Sequence, residues 1–214
     1  MSSPLLRADA VSFRYERSTP LLEEWSTEFS AGEVVAVTAP SGSGKSTLLY
    51  LLGLMLKPTS GRVCFDGAAV HDWPDSRRAH LRAHDFGFVF QDAALDGSRT
   101  VLDNILETVL YRDGDRTVAT LRARELMEQF GVGLRANAKP GQVSGGQAQR
   151  IALCRALLGD PLVLLADEPT GNLDPSSSDV VVDALHAQAA RGAAVIVVTH
   201  DPALVERCDR RIEL

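Results

Sequence analysis

The sequence predicts an α/β protein with a parallel-sheet core, an N-terminal antiparallel β-subdomain and an inserted α-helical subdomain, and three features predict it. Glu33 to Thr38, Leu162 to Ala166 and Ala194 to Thr199 are nearly continuous apolar runs, as suits strands buried on both faces of a parallel sheet. Ala10 to Tyr15 and Trp25 to Phe29 alternate apolar with polar residues, the period of half-buried strands in an antiparallel sheet. Residues 92–158 read mostly as helix. The expected organisation is a single domain over 1–214, with 1–91 and 159–214 forming the core and β-subdomain and 92–158 the helical subdomain.

Along the chain, Ser18-Thr19-Pro20 and Ala31-Gly32 break the two alternating strands, and the buried strand 33–38 follows. Ser46 to Leu56 reads as a buried helix stopped by Lys57-Pro58-Thr59-Ser60-Gly61, and Arg62 to Asp66 as a short strand turning at Gly67. Residues 71–85 are polar and rich in arginine, and Gly87 to Gln91 is another short strand. Farther on, Ala119, Ala123, Leu126, Met127 and Phe130 fall at helical spacing before Gly131, the pattern of an amphipathic helix with a glycine stop. A helix over Ser176 to Ala190 joins the last two buried strands, the crossover that parallel neighbours require. No internal repeat or low-complexity tract interrupts this order.

The 214 residues are 45% hydrophobic and 23% charged, with Lys plus Arg at 22 and Asp plus Glu at 28 for a net charge of −6. Such a chain can bury a sizeable core, and its acidic balance disfavours broad contact with nucleic acid or an anionic lipid surface. The longest apolar stretch, Leu48 to Leu56, is about half of the roughly 18 residues a membrane span needs. Met1 to Arg7 shows no secretory pattern, so any membrane role is expected through a partner. Cys64, Cys154 and Cys208 have no metal-ligand spacing and read as reduced residues of a cytosolic protein.

The strongest chemical signal is Ala39-Pro40-Ser41-Gly42-Ser43-Gly44-Lys45-Ser46-Thr47, between a buried strand and an apolar helix. That junction is where a phosphate-cradling loop works: glycines turn backbone N–H groups inward, the helix N-terminus adds positive potential, and Lys45 reaches the terminal phosphates. Ser46 would place its hydroxyl on a magnesium ion. The position that opens such loops is usually glycine and here is Ala39, which costs about 1 kcal/mol if its φ is positive. Asp167-Glu168 ends an apolar strand, where carboxylates meet a ligand in the crevice beyond the strand ends. Asp167 suits the magnesium ion through water, and Glu168 the attacking water as general base. A second anion-ready helix start is Ser144-Gly145-Gly146, with the helix expected from Gln147 to Leu158. Alone, Ser144 would be a plain N-cap, but the run Ser144 to Arg150 is more specific than that.

With these residues in place, the sequence resembles the nucleotide-binding subunits of ABC transporters over nearly its whole length. Residues 39–47 resemble the Walker A loop, 144–150 the ABC signature and 162–168 the Walker B strand. The signature separates this family from other phosphate-loop proteins, and here it opens with Val143 where leucine is usual. The resemblance implies ATP and Mg2+ as ligands and a head-to-tail dimer of two copies, in which Ser144, Gly145, Gly146, Gln147 and Asp174 of one chain serve the ATP held by the other. It implies that Ser41, Gly42, Ser43, Gly44, Lys45, Ser46 and Thr47 hold phosphate, and that Ser46, Gln91 and Asp167 hold the metal. Gln91 matches the Q-loop glutamine, His200 the switch histidine at the γ-phosphate, and Asp174 the D-loop aspartate, which is also a fitting N-cap before Pro175. Tyr15 matches the aromatic that stacks on adenine; without the resemblance it would be a sheet aromatic packed into the core. His71, His80, His84 and His186 read as surface residues.

Lys57 to Gly61, Gly87 to Gln91 and Gly171 to Asp174 resemble the bacterial branch that includes lipoprotein-releasing, macrolide-export and antimicrobial-peptide transporters. The implied function is an ATPase subunit, with Glu168, His200 and Lys45 as catalytic residues, that powers a membrane transporter or force-transmitting complex through ATP-dependent dimerisation. Its implied partner is an integral-membrane permease, contacted around Gln91 and Asp92 to Asn104, which would hold the chain on the cytoplasmic face of the cell membrane. The alternatives are a soluble ATPase of the same type or an ATP-binding scaffold that does not hydrolyse. Only 14 residues follow His200, too few for a C-terminal regulatory domain.

Overall fold

The computed structural model describes residues 4–15, 20–40, 44–112, 114–171 and 173–214. In chain order the first half comprises β1 (Leu6–Phe13), β2 (Leu22–Phe29), β3 (Val34–Thr38), α1 (Lys45–Leu52), β4 (Ser60–Phe65), β5 (Ala68–Ala69), α2 (Asp75–Asp85) and β6 (Phe86–Val89). Then follow α3 (Val101–Ile105), a 3-10 turn over Leu106–Tyr111, α4 (Arg116–Gln129), α5 (Gly145–Leu157), β7 (Val163–Asp167), α6 (Pro175–Ala190), β8 (Ala194–Val198), α7 (Pro202–Glu206) and β9 (Arg210–Glu213). The strands form an antiparallel sheet in the order β2-β1-β4-β5 and a parallel sheet in the order β6-β7-β8-β3-β9. This is the predicted architecture of two sheets with helices between strands.

The apolar runs are explained by burial on both faces. Val35 and Val37 of β3, Val163 and Leu165 of β7, and Ile196 and Val198 of β8 join one apolar cluster, with α1 and the antiparallel sheet. Their neighbours Val34, Leu164, Ala166, Val195 and Val197 face the other cluster, with α4, α5 and α6. Each fully buried aliphatic side chain contributes about 1.5–3 kcal/mol, so the aliphatic residues on both faces of these strands stabilise the core. In β1, Leu6, Ala8, Val11 and Phe13 are buried. A bulge between Ala8 and Val11, where Ala10 takes φ of 47°, returns the later residues to the inner face.

Several elements differ from expectation. The buried helix ends at Leu52, four residues early, because Gly53 caps it and Leu54 turns back with φ of 60°. The arginine-rich segment forms α2: Arg78 and Arg82 donate to the Leu54 carbonyl at 3.2 and 2.7 Å, closing the end of α1. The signature helix begins at Gly145 rather than Gln147, with Ser144 as its N-cap. His71, His84 and His186 are half-buried, and only His80 of the four is exposed. Gly87 has a steric reason: a Cβ there would lie 2.7 Å from the Ala156 carbonyl oxygen, so its absence lets α5 seat on β6.

Candidate nucleotide site

The register of the parallel sheet builds the site. Val198 of β8 lies opposite Val37 of β3 and Asp167 of β7, so the C-terminal ends of three adjacent strands share one edge. Beyond β3 the chain passes Ala39 and Pro40 and enters α1 at Gly44, whose φ is 91°, a conformation glycine adopts freely. Ala39 is not among the described residues with positive φ, so the alanine sits there without strain. Ser41, Gly42 and Ser43 lie outside the described residues.

A cleft of about 570 Å³ opens at this edge, lined by Ala39, Pro40, Gly44, Lys45, Ser46, Thr47, Gln91, Asp167, Glu168 and His200 with Leu21. Lys45 Nζ donates to the Ala39 and Pro40 carbonyls at 2.9 and 3.2 Å, so its charge stands within the loop at the start of α1. Ser46 Oγ donates to Asp167 Oδ2 at 2.6 Å. Burial pushes the Asp167 carboxyl up, and the Ser46 hydrogen bond works against that. Ser46 and Asp167 bring two oxygens together, the ligand chemistry of a hard divalent cation such as Mg2+. Among the described residues no three His, Cys, Asp or Glu side chains converge as a metal cage. A Mg2+ ion held by one or two protein oxygens plus substrate phosphates is the arrangement that fits.

Glu168 is buried at 8% exposure and left-handed, with φ of 45°, backbone strain of a kind concentrated at functional sites. Its N–H donates to the Val198 carbonyl at 2.8 Å. The turn aims its carboxylate at the end of β8, where Oε2 accepts from Thr199 Oγ1 at 2.9 Å and Oε1 from His200 Nδ1 at 2.5 Å. Thr199, wholly buried, is a site residue that sequence reasoning passed over; its only signal is its place before His200. Tyr15 is 48% exposed, meets Phe13 edge-on at 5.0 Å and has its hydroxyl 3.2 Å from Thr47 Oγ1. The ring is therefore half open beside the loop rather than packed into the core.

The other expected residues do not line this cleft, although Gly145 borders a small adjoining pocket with Gln91 and Glu168. Ser144 Oγ accepts from the Gln147 N–H at 3.2 Å and Gln147 Oε1 from the Ser144 N–H at 3.0 Å, a capping box on an exposed helix end with Gly145 and Gly146 in its first turn. Asp174 caps α6, and hydrogen bonds from Ser176 and Ser177 hold its carboxyl well below the usual carboxylate range. None of Ser144, Gly145, Gly146, Gln147 and Asp174 lines the cleft. A second cavity of about 620 Å³, apolar in character, lies between β6, α2 and the 3-10 turn, where Met55, Phe86, Phe88, Phe90 and Tyr111 form its walls. Of the segment 92–104 expected to meet a partner, only Ala94 lines it.

Residues 22–171 match the family model described as ABC transporter. The chain is 39% identical over 218 residues to the lipoprotein-releasing system ATP-binding protein LolD of Shewanella oneidensis, covering 100% of this chain and 95% of that protein. It is 41% identical over 215 residues to the macrolide export ATP-binding/permease protein MacB 1/2 of Paracoccus denitrificans, covering 99% of this chain but 32% of that longer protein. A bacterial ABC transporter cassette solved as a dimer superposes with a TM-score of 0.91 at 33% identity, covering 98% of this chain and 94% of that one. The same cassette solved as a dimer after hydrolysis, with ADP and Pi bound, gives a TM-score of 0.88.

Proposed function

The chain belongs to the ABC transporter family as an ATP-binding ATPase cassette, and from that premise we propose how its own residues carry the activity and what it serves. Lys45 and the N-terminal amides of α1 hold the β- and γ-phosphates, as a helix start with a mobile cation does. Ser46, Asp167 and Gln91 hold Mg2+, which when bound neutralises phosphate charge. Tyr15 faces the adenine. Glu168 takes the proton of the attacking water, His200 contacts the γ-phosphate, and Lys45 stabilises the charge that develops on it.

The observation that carries this reading is the Glu168 carboxylate. It is buried, oriented from both sides by Thr199 and His200, and on the wall of the same cleft as Lys45 and Ser46. Ser144, Gly145, Gly146, Gln147 and Asp174 complete the site of a second copy, which accounts for the exposure of Ser144, Gly145 and Asp174 outside their own cleft. In this division residues 92–158 act as the helical unit presenting the signature, and the rest of the chain as the nucleotide-holding core.

The apolar groove suits a segment of an integral-membrane permease, and the MacB relative, an ATP-binding/permease protein, supports that class of partner. No helix of the described residues is long and apolar enough to cross a membrane; in this reading the permease holds the chain at the cytoplasmic face. The test is Glu168→Gln. Hydrolysis of Mg-ATP should fall by on the order of 10²–10⁴-fold, the usual worth of a general base, while ATP binding persists and an ATP-held dimer accumulates. Turnover at the wild-type rate would remove Glu168 as the base.

A further inference from the structure

The loop after β6 carries Gln91 and is built against backbone preference. Ala93 and Ala94 are consecutive left-handed residues with φ of 59° and 46°, a region that residues bearing a Cβ rarely occupy. Such a turn persists only where its surroundings over-determine it, and two side chains of α5 do so. Arg155 donates from Nη1 to the Ala94 carbonyl at 2.7 Å and from Nη2 to the Ala93 carbonyl at 2.8 Å. Gln149 donates from Nε2 to the Phe90 carbonyl at 3.3 Å. The three carbonyls bracket Gln91.

Arg155 is 9% exposed within the otherwise apolar run Ile151 to Leu157. Among the described residues it forms no ion pair; its guanidinium donates to those two carbonyls, and burial lowers its pKa, with Glu107 and Asp92 offsetting part of that effect. A planar fork with parallel N–H groups is the side chain that can grip two successive carbonyls at once. The same residue lines the apolar groove, beside Phe90, Ala94 and Glu107.

We propose that Arg155 is a positioning residue for ATP hydrolysis: from the groove wall its guanidinium fixes the left-handed turn that sets Gln91 in the nucleotide cleft. The inference rests on the reading of Gln91 as part of the nucleotide and metal site. It also makes α5 the element that joins a helix start serving the partner's ATP to a loop serving its own.

The test is steady-state hydrolysis of Mg-ATP by the full chain as wild type, Arg155→Ala, Gln91→Ala and the double variant. Arg155→Ala should lose on the order of tenfold to a hundredfold in kcat, as a misplaced catalytic group does, with the KM for ATP little changed. The double variant should be no slower than Gln91→Ala. Guanidinium ion at millimolar concentration, entering by the groove, should restore part of the Arg155→Ala rate and none of the double variant's. A wild-type kcat for Arg155→Ala, or a loss that adds in full to that of Gln91→Ala, overturns the proposal. Should Arg155→Ala fail to fold, Arg155→Lys keeps the charge but not the fork, and a wild-type rate there overturns it equally. A wild-type rate for Gln91→Ala instead overturns the reading of Gln91, whatever Arg155 does.

Discussion

Ala39 shows how one backbone angle decides what a departure from a motif costs. Read from sequence, alanine at the start of the phosphate loop carries a penalty if the position is left-handed; it is not among the described positive-φ residues, whereas Gly44 at the other end is, at 91°. Replacing Ala39 by glycine therefore relieves no strain and adds freedom to the unfolded chain, which costs about 0.4–1 kcal/mol. The expected outcome for Ala39→Gly is a slightly lower melting temperature with ATP affinity unchanged, read by thermal unfolding and by nucleotide titration. Tighter ATP binding with higher stability would mean that the alanine is strained after all. Glu168 is the opposite case, a residue with a Cβ kept at φ of 45°. There the angle brings the carboxylate to Thr199 and His200, and relaxing it would undo the orientation on which its proposed role as base depends.

At the scale of elements, contact between β6 and α5 sets the distance from the nucleotide cleft to the signature helix. Gly87 permits that contact, since a Cβ would lie 2.7 Å from the Ala156 carbonyl oxygen and 2.9 Å from Pro161 Cγ. Gly87→Ala should cost about 1–3 kcal/mol by overpacking, which for a chain of this size lowers the melting temperature by about 2–4 °C per kcal/mol. An unchanged melting curve would mean that α5 does not rest on β6 as described. The buried strands and α4 and α6 were legible in the sequence because their burial imposes a period that survives without tertiary information. What was not legible depends on partners distant in sequence. In α2 only Arg78 and Leu81 are buried, and the helix docks through arginines on the Leu54 carbonyl. In β9, Arg210, Arg211 and Glu213 are exposed on an edge strand beside β3, and α7 has five residues with Leu204 alone buried. The early end of α1 was hidden by an apolar run that continues past Gly53. The site divides likewise: Lys45, Ser46, Asp167, Glu168 and His200 stand at strand ends that the apolar runs locate, whereas Thr199, Gln149 and Arg155 act through hydrogen bonds that only the folded chain brings together.

For the whole molecule, the decisive feature is that the two helix ends proposed to bind phosphate do not line one cleft: of the signature residues only Gly145 borders it, through a small pocket shared with Gln91 and Glu168. Lys45 and Ser46 line the cleft, while Ser144, Gly145, Gly146 and Asp174 lie outside it on exposed helix starts. In the proposed dimer, two copies of the chain pair in a twofold arrangement, where each half-site meets the opposite one. That geometry predicts complementation between two inactive variants. Lys45→Ala removes the phosphate-loop cation and keeps the signature. Ser144→Asp keeps an N-cap, since aspartate caps as well as serine, but sets a negative charge on the helix start that would receive the γ-phosphate. Each variant alone should hydrolyse ATP at a small fraction of the wild-type rate. In an equal mixture about half of the dimers pair the two variants, and in each of these one site combines an intact phosphate loop with an intact signature. Activity should then recover to roughly a quarter of wild type if the two sites work independently. A mixture no faster than its parents would mean that the signature does not act across the dimer as proposed. Recovery of rate with a Lys45→Ala, Ser144→Asp double variant as the added partner would be equally damaging, because that chain contributes no intact half-site to any pair.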